Sequence, residues 1–194
     1  MSDGINLGIA HTSNQREHIS KTLKLHGDSK NGLATILSTG THINAFFREE
    51  KTPSYNPDLK QILPKIKVKG VESHKYPIEQ AMKSVKQEIV LCPYDKLPFK
   101  DNSFDFIIAF ASIYMLNFKG VLNSLREVQR VGKGKSYVTL GAYRTKEEKE
   151  LFLEWTLLGT TVLHEDEWLE VFKETGYTGD YFFSSAKSLH LVRG

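Results

Sequence analysis

The sequence predicts an α/β protein in which a mostly parallel sheet carries helices on both faces. Three observations predict this class. Short apolar segments alternate with amphipathic helical segments through most of the chain. The segment FDFIIAF (104–110) is a continuous apolar run, typical of a parallel strand buried on both faces. Two late apolar segments, DYFFSS (180–185) and SLHLVR (188–193), predict an antiparallel hairpin at one edge of the sheet.

The first half of the chain contributes three predicted strands, GLATILST (32–39), IKVKGVES (66–73) and EIVLC (88–92). The helical pattern predicts helices over 13–26, 42–50 and 76–87. Residues 51–65 contain three prolines, which favour an irregular insertion over a regular element. In LPKIKVKG, alternate lysines between apolar residues predict an edge strand with one wet face, and a nucleic-acid contact is not expected there.

The second half of the chain alternates strands with three amphipathic helices. FKGVLNSLREVQRVG (118–132) places its valines and leucines on one face and ends at a glycine. KSYVTLGAY (135–143) is the fifth predicted strand. A helix follows from Thr145, which forms a predicted capping box with Glu148. Another helix, over 164–176, has acidic residues in its first turn, where they favour the helix dipole.

Length and composition predict one soluble domain. The chain has 194 residues, of which 40% are hydrophobic and 25% charged, with a net charge of +3. We assign 1–32 to an N-terminal helical segment and 33–194 to the α/β domain. A single cysteine, Cys92, excludes an intrachain disulfide. The sequence has neither a secretory signal nor an apolar run long enough for a membrane span, so a cytoplasmic location is expected.

Two stretches resemble a known family. LPFKDNSFDFIIAF (97–110) and LREVQRVGKGKSYVTLGAY (125–143) resemble the small class I methyltransferases that use S-adenosylmethionine and act on small molecules. Residues 167–181 resemble the tail of one branch of these enzymes. The resemblance implies a Rossmann-like doubly wound sheet that binds the cofactor at the carboxyl ends of its strands. The matching residues are mainly structural: Leu97, Pro98, Phe99, Asp101, Ser103, Phe104, Asp105, Leu125, Glu127, Arg130 and Val131.

The first cofactor motif of that family is degenerate here. The family carries an acid and three alternating glycines after the first strand, and ILSTGTHIN (36–44) keeps only Gly40. Ser38 stands at the acid, and His42 and Asn44 stand at the later glycines. His42 is either a replacement ligand or base, or a side chain that fills a narrowed site.

A second motif is preserved at the end of the second strand. KGVESHKYPIEQA aligns with the family pattern and puts Glu72 on the acid that accepts hydrogen bonds from the ribose hydroxyls. Beside the adenine, the family's acidic and small pair is replaced by Pro93 and Tyr94. Tyr94 either stacks on a purine or covers the sheet edge. The resemblance implies this cofactor-binding set: Gly40, Thr41, Glu72, Ser73, Pro93, Tyr94 and Phe110.

The residues expected to face the methyl acceptor also differ from those of the family. Many relatives carry a pair of histidines after the fourth strand, where this chain has Tyr114 and Met115. Tyr114 either hydrogen-bonds the substrate and receives its proton, or is a half-buried aromatic residue. The predicted catalytic residues are Tyr114 and His42, and no metal-binding spacing is present. Residues 147–168, with Trp155, Trp168 and TLLGTTVL, are expected to frame the substrate side unless both tryptophans serve the core.

These observations predict a divergent S-adenosylmethionine-dependent methyltransferase that acts on a small molecule. The alternative is a pseudo-methyltransferase that has lost the cofactor and serves as a structural or regulatory subunit, or binds another ligand. The expected partner is a small-molecule methyl acceptor, with a second protein or a second copy of the chain as further candidates. Nucleic acid and membrane are not expected partners.

Overall fold

The computed structural model describes residues 33–38, 67–79, 81 and 83–192, with the backbone alone at 33–38, 84 and 85. Predictions for residues 1–66 other than the first strand lie outside these ranges, including those for Gly40, Thr41 and His42. Within the described ranges, no helix is long and apolar enough to cross a membrane.

The described strands form one sheet in the order β3-β2-β1-β4-β5, and the two last strands both lie beside β5. All strand pairs among the described residues are parallel. β7 pairs with Tyr137–Gly141 of β5, and β6 pairs with the last two residues of β5. The strands are β1 Leu33–Ser38, β2 Lys67–Glu72, β3 Ile89–Leu91, β4 Phe106–Phe110, β5 Ser136–Tyr143, β6 Leu163–His164 and β7 Asp180–Ser184.

Five α-helices connect these strands within the described residues: α1 Lys75–Glu79, α2 Lys83–Lys86, α3 Phe118–Val131, α4 Lys146–Trp155 and α5 Glu165–Thr175. A 3-10 turn at Ile113–Met115 precedes α3. Thr145 caps α4 as predicted, because its side chain accepts a hydrogen bond from the Glu148 amide at 3.2 Å. The Glu148 carboxylate accepts from the Arg144 amide instead of the Thr145 amide. α5 has a complete capping box, formed by His164 and Glu167.

The predicted antiparallel edge hairpin is wrong. β7 runs parallel to β5, because α5 carries the chain back across the sheet before β7 begins. The second apolar segment of the predicted hairpin forms turns over residues 186–190 instead of a strand. Ser185 and Ser188 close this turn, since each side chain accepts a hydrogen bond from the other residue's amide.

The lysine-bearing strand is not the sheet edge that its pattern predicts. β2 lies between β1 and β3, so it is an internal strand. Its pairing with β3 begins only at Gly70, and Lys67 and Lys69 precede this point. Lys67 is exposed, and Lys69 pairs with Glu88 at 2.5 Å. The part of β2 that carries Lys67 and Lys69 is therefore open to solvent because β3 is too short to pair with it.

A network around Arg130 joins the two stretches that carry the family resemblance. The Arg130 guanidinium donates to the carbonyl oxygens of Leu97 at 3.0 Å and Phe99 at 2.8 Å. It also pairs with the carboxylates of Asp101 and Glu127. Glu127 in turn accepts from the Leu97 amide at 2.6 Å. These hydrogen bonds fasten the loop before β4 onto α3, which gives the matching residues a structural role.

Candidate functional site

The candidate site begins where the strand order reverses, between β1 and β4. The chain runs outward from β1 to β2 and β3 on one side, and from β4 to β5 on the other. Ser38 of β1 is in register with Phe110 of β4, and Leu37 is in register with Val71, which precedes Glu72. The three strands therefore end at the same level. Open parallel sheets bind ligands at this position, outside the carboxyl ends of the strands.

Glu72, the last residue of β2, holds a carboxylate that is 1% exposed. Its Oε1 accepts hydrogen bonds from the Ser73 amide at 2.8 Å, the His74 amide at 3.3 Å and the Tyr94 hydroxyl at 3.1 Å. A buried carboxylate is costly unless donors surround it, so these three groups stabilise its position. The sequence prediction that Glu72 lies at the sheet's ligand edge is consistent with this placement.

Tyr94 reaches Glu72 because β2 and β3 are neighbouring parallel strands. Glu72 is in register with Leu91, and Tyr94 lies three residues beyond it. The Tyr94 side chain is 2% exposed, whereas Pro93 is exposed. Burial, and then the charge of Glu72, raise the pKa of Tyr94. The phenol therefore keeps its proton at neutral pH and acts as a donor to the carboxylate.

The chain leaves β4 through a backbone conformation that side chains rarely adopt. Ala111 has a φ of +48°, in the left-handed region. Its amide donates to the Thr139 side chain of β5 at 2.7 Å, which helps hold the turn in place. Such conformations cost about 1–3 kcal/mol and concentrate at ligand sites and switches. The Ala111 turn directs the chain away from Phe110, which is buried, into the 3-10 turn.

Tyr114 lies in that 3-10 turn with its ring in the core. It is 4% exposed, packs edge-on against Phe152 at 6.2 Å, and lies over Gly141. A side chain at Gly141 would meet both rings at about 3 Å, which explains the glycine there. Burial raises the pKa of Tyr114, and a hydrogen bond with Thr156 opposes this rise. The buried phenol is thus a neutral group, and its catalytic role stays a prediction.

The loop after α4 is attached to the same turn. The amides of Thr160 and Thr161 both donate to the Tyr114 carbonyl oxygen, at 3.1 and 2.9 Å. In the same loop, Leu157 is 93% exposed and Leu158 is 64% exposed. Leu157 and Leu158, two adjacent leucines in water beside the carboxyl edge of the sheet, form an apolar lip.

The two tryptophans differ in their surroundings. Trp168 is fully buried and its indole N–H donates to the Gly141 carbonyl oxygen at 2.9 Å. It is a core residue, so the alternative of core packing is correct for Trp168. Trp155 is partly buried, with its ring 5.4 Å from that of Phe152.

A surface groove of about 510 Å³ lies elsewhere, between α3 and α5. Its acidic residues have structural contacts: Glu167 caps α5, Glu170 pairs with Lys173, and Glu174 pairs with Arg126. The groove is therefore separate from Glu72, Ser73, His74 and Tyr94, since it is lined by Phe118, Leu122, Leu163, Glu167, Glu170, Val171 and Glu174. The described residues also contain no group of three or more potential metal ligands.

Of the predicted cofactor residues, the fold brings together Glu72, Ser73 and Tyr94. Phe110 lies at the same level on β4, and Gly40 and Thr41 lie outside the described residues. The Glu72–Tyr94 hydrogen bond and the contact of Thr139 with Ala111 were missed from the sequence. The Glu72–Tyr94 contact could have been inferred from the sequence, because residues just after neighbouring parallel strands lie at one edge of a sheet.

Comparison with known proteins gives one family match. Residues 54–140 match the family model described as a methyltransferase domain. No curated protein matches the chain significantly.

Solved structures with the same fold include three proteins assigned as methyltransferases. One, from Haloferax volcanii, is in complex with the Trm112 methyltransferase activator; it is 15% identical, with a TM-score of 0.56 over 88% of this chain and 76% of its own. One from Bacillus halodurans is 15% identical, with a TM-score of 0.58 over 82% and 68%. An S-adenosylmethionine-dependent methyltransferase from Archaeoglobus fulgidus is 14% identical, with a TM-score of 0.55 over 83% and 68%.

At these identities the structures establish the fold, and the family model adds the domain type. Residues 54–140 of this chain therefore match a methyltransferase domain model, and they lie in a sheet with the same fold as these solved methyltransferase structures.

Proposed function

We propose that the chain is a divergent S-adenosylmethionine-dependent methyltransferase that acts on a small, apolar acceptor. The observation that carries the proposal is the Glu72 carboxylate, held at the carboxyl end of β2 by the amides of Ser73 and His74. When bound, the cofactor supplies a methyl group on a sulfonium that is already activated. The protein then has to bind and orient the two reactants, and this needs no catalytic dyad.

The residues at the strand ends suit the nucleoside part of this cofactor. Glu72 is an acceptor of the type that binds a ribose diol, and the fixed amides around its Oε1 orient it. Tyr94 supplies an aromatic ring beside it. These two residues, with Ser73, would hold the nucleoside. The contact between Tyr94 and Glu72 means that a ribose has to take the place of the phenol.

The acceptor would bind between β4 and the loop that follows α4. The apolar lip of Leu157 and Leu158 lies in the loop that is hydrogen-bonded to the Tyr114 carbonyl oxygen. A neutral, buried Tyr114 favours an acceptor that needs no phenolate to remove its proton. A small molecule with an apolar portion suits these surroundings. A protein partner, which the Haloferax volcanii complex suggests, would add to this function without replacing it.

Glu72→Gln should weaken binding of S-adenosylhomocysteine about tenfold. The amide keeps the shape of the side chain but loses the charge that strengthens hydrogen bonds from the ribose hydroxyls, a loss of about 1.5 kcal/mol. Isothermal titration calorimetry measures the difference. Glu79→Gln, at an exposed acid in α1, is the control and should bind like the parent. Equal affinity of the parent and Glu72→Gln would show that Glu72 does not contact the ribose.

Replacing both leucines of the apolar lip by serine should raise the KM for an apolar acceptor about tenfold, because roughly 1–2 kcal/mol of apolar contact is lost. The measurement is methyl transfer from labelled S-adenosylmethionine to acceptors of increasing alkyl chain length. Leu153→Ser, at a half-exposed leucine of α4, is the matched control. A preference for short, polar acceptors, or an unchanged KM, would contradict an apolar acceptor.

The second candidate is a pseudo-methyltransferase. A specific observation favours it: the carboxylate that would bind the ribose is buried and already accepts a hydrogen bond from Tyr94. One experiment separates the two functions. The chain is incubated with methyl-labelled S-adenosylmethionine and a protein-free extract of small molecules. Label in a product above the level of the Glu72→Gln variant supports the enzyme, and the absence of both label and cofactor binding supports the pseudo-enzyme.

A further inference from the structure

We propose that Tyr94 is a built-in occupant of the ribose position, so that a nucleoside binds only when it displaces the Tyr94 hydroxyl from Glu72. The inference rests on the proposed function for the identity of the ligand. It concerns a residue of this chain that controls access to the site.

The contact has the chemistry of a bound ribose. A ribose diol donates hydroxyl hydrogens to a carboxylate, and the Tyr94 phenol donates a hydroxyl hydrogen to Glu72 Oε1 at 3.1 Å. The amides of Ser73 and His74 donate to the same oxygen. A carboxylate oxygen has two lone pairs, so these three donors, with the Ser73 hydroxyl at 3.4 Å as a longer fourth, already satisfy Oε1. A ligand hydroxyl that approaches this oxygen competes with the phenol, because the two amides are fixed by the backbone.

Burial makes this competition effective. The Tyr94 side chain is 2% exposed and Glu72 is 1% exposed, so the phenol holds the carboxylate without competition from bulk water, and a ligand hydroxyl has to replace that hydrogen bond. The phenol also remains a donor throughout the neutral range, since burial and the Glu72 charge raise its pKa.

The test uses the full chain, with S-adenosylhomocysteine and adenosine as separate titrants. Tyr94→Phe removes the competing hydroxyl and keeps the ring, and we expect it to raise the affinity for both titrants about tenfold, the size of one hydrogen bond to a charged group. Tyr177→Phe is the matched control. Tyr177 is a buried phenol with two hydrogen bonds, to Ser136 and to the Asp180 carbonyl oxygen, on another part of the sheet. Its loss should leave the affinity unchanged.

Two further measurements separate competition from a general loosening of the fold. In a Glu72→Gln background, Tyr94→Phe should give little or no gain, because the phenol and the ribose then no longer compete for a carboxylate. With 2′,3′-dideoxyadenosine, which lacks both hydroxyls, the gain should also disappear. If Tyr94→Phe still raises the affinity in either case, competition for the carboxylate is wrong, and the higher affinity comes from extra space around the ring.

The outcomes distinguish this inference from the proposed function. If the parent binds S-adenosylhomocysteine and Tyr94→Phe binds no tighter, the inference is wrong and the function stands. If only Tyr94→Phe binds, the inference stands, and the parent chain is a pseudo-enzyme whose ribose position is filled by the Tyr94 hydroxyl. If neither binds, and Tyr94→Ala does not bind either, both are wrong, because removal of the whole ring then opens no nucleoside site.

Discussion

Trp168→Ala should lower the free energy of unfolding by about 3–5 kcal/mol, the range for removing a fully buried large aromatic side chain. Trp168 is 0% exposed and lies on the face of α5 that packs on the sheet. Its ring packs against Phe172, with 6.5 Å between centroids. Its indole N–H donates to the Gly141 carbonyl oxygen. The substitution would therefore leave a cavity and remove a donor from the Gly141 carbonyl oxygen of β5.

Urea unfolding followed by circular dichroism measures this loss. Trp168→Phe keeps most of the volume and should cost less, about 1–3 kcal/mol, since the indole hydrogen bond and part of the ring are lost. Leu169→Ala, at the next residue of α5 and 38% exposed, is the control, and we expect it to cost at most about 1 kcal/mol. Equal costs for Trp168→Ala and Leu169→Ala would mean that α5 does not pack on the sheet as described.

Arg130→Ala should cost about 2–4 kcal/mol of stability. Arg130 fastens the loop before β4 to α3 through the carbonyl oxygens of Leu97 and Phe99 and the carboxylates of Asp101 and Glu127. Without the guanidinium, two loop carbonyls lose their donor and the partly buried Glu127 loses its counter-charge. Arg126→Ala on the same helix is the control. Arg126 pairs with the exposed Glu174, and such surface pairs contribute at most about 1 kcal/mol.

The same variant should change the dependence of stability on pH. Hydrogen bonds from Arg130 lower the pKa of Glu127 below its ordinary value of 4.5. A carboxylate whose pKa is lower in the folded state adds stability above its unfolded pKa and loses it as the pH falls. In Arg130→Ala this contribution should largely disappear, so stability should fall less steeply below pH 4.5 than in the parent. If the stability of the parent and of Arg130→Ala falls with equal slope as the pH decreases, the assigned role of Glu127 is wrong.

Several local features were predictable from the sequence because they depend on neighbouring residues. The apolar run of β4 indicated a strand buried on both faces, and all five of its residues are buried. The periodicity of α3 indicated which face packs on the sheet, and Val121, Leu125 and Val128 are buried there. Thr145 and the glycine after α5 marked helix ends through side-chain and backbone chemistry. The resemblance then placed Glu72 at the end of a strand.

The sequence by itself determined strands β1 to β5 and β7 and helices α3 to α5, since helix and strand periodicity are local properties. Only the tertiary structure decided how distant elements meet. It made β7 parallel to β5, because the direction of a strand depends on the crossover that precedes it. It put β2 inside the sheet, because pairing with β3 depends on a contact about twenty residues away. It also joined the Tyr94 hydroxyl to Glu72, because the register of two strands brings together side chains that no local pattern relates.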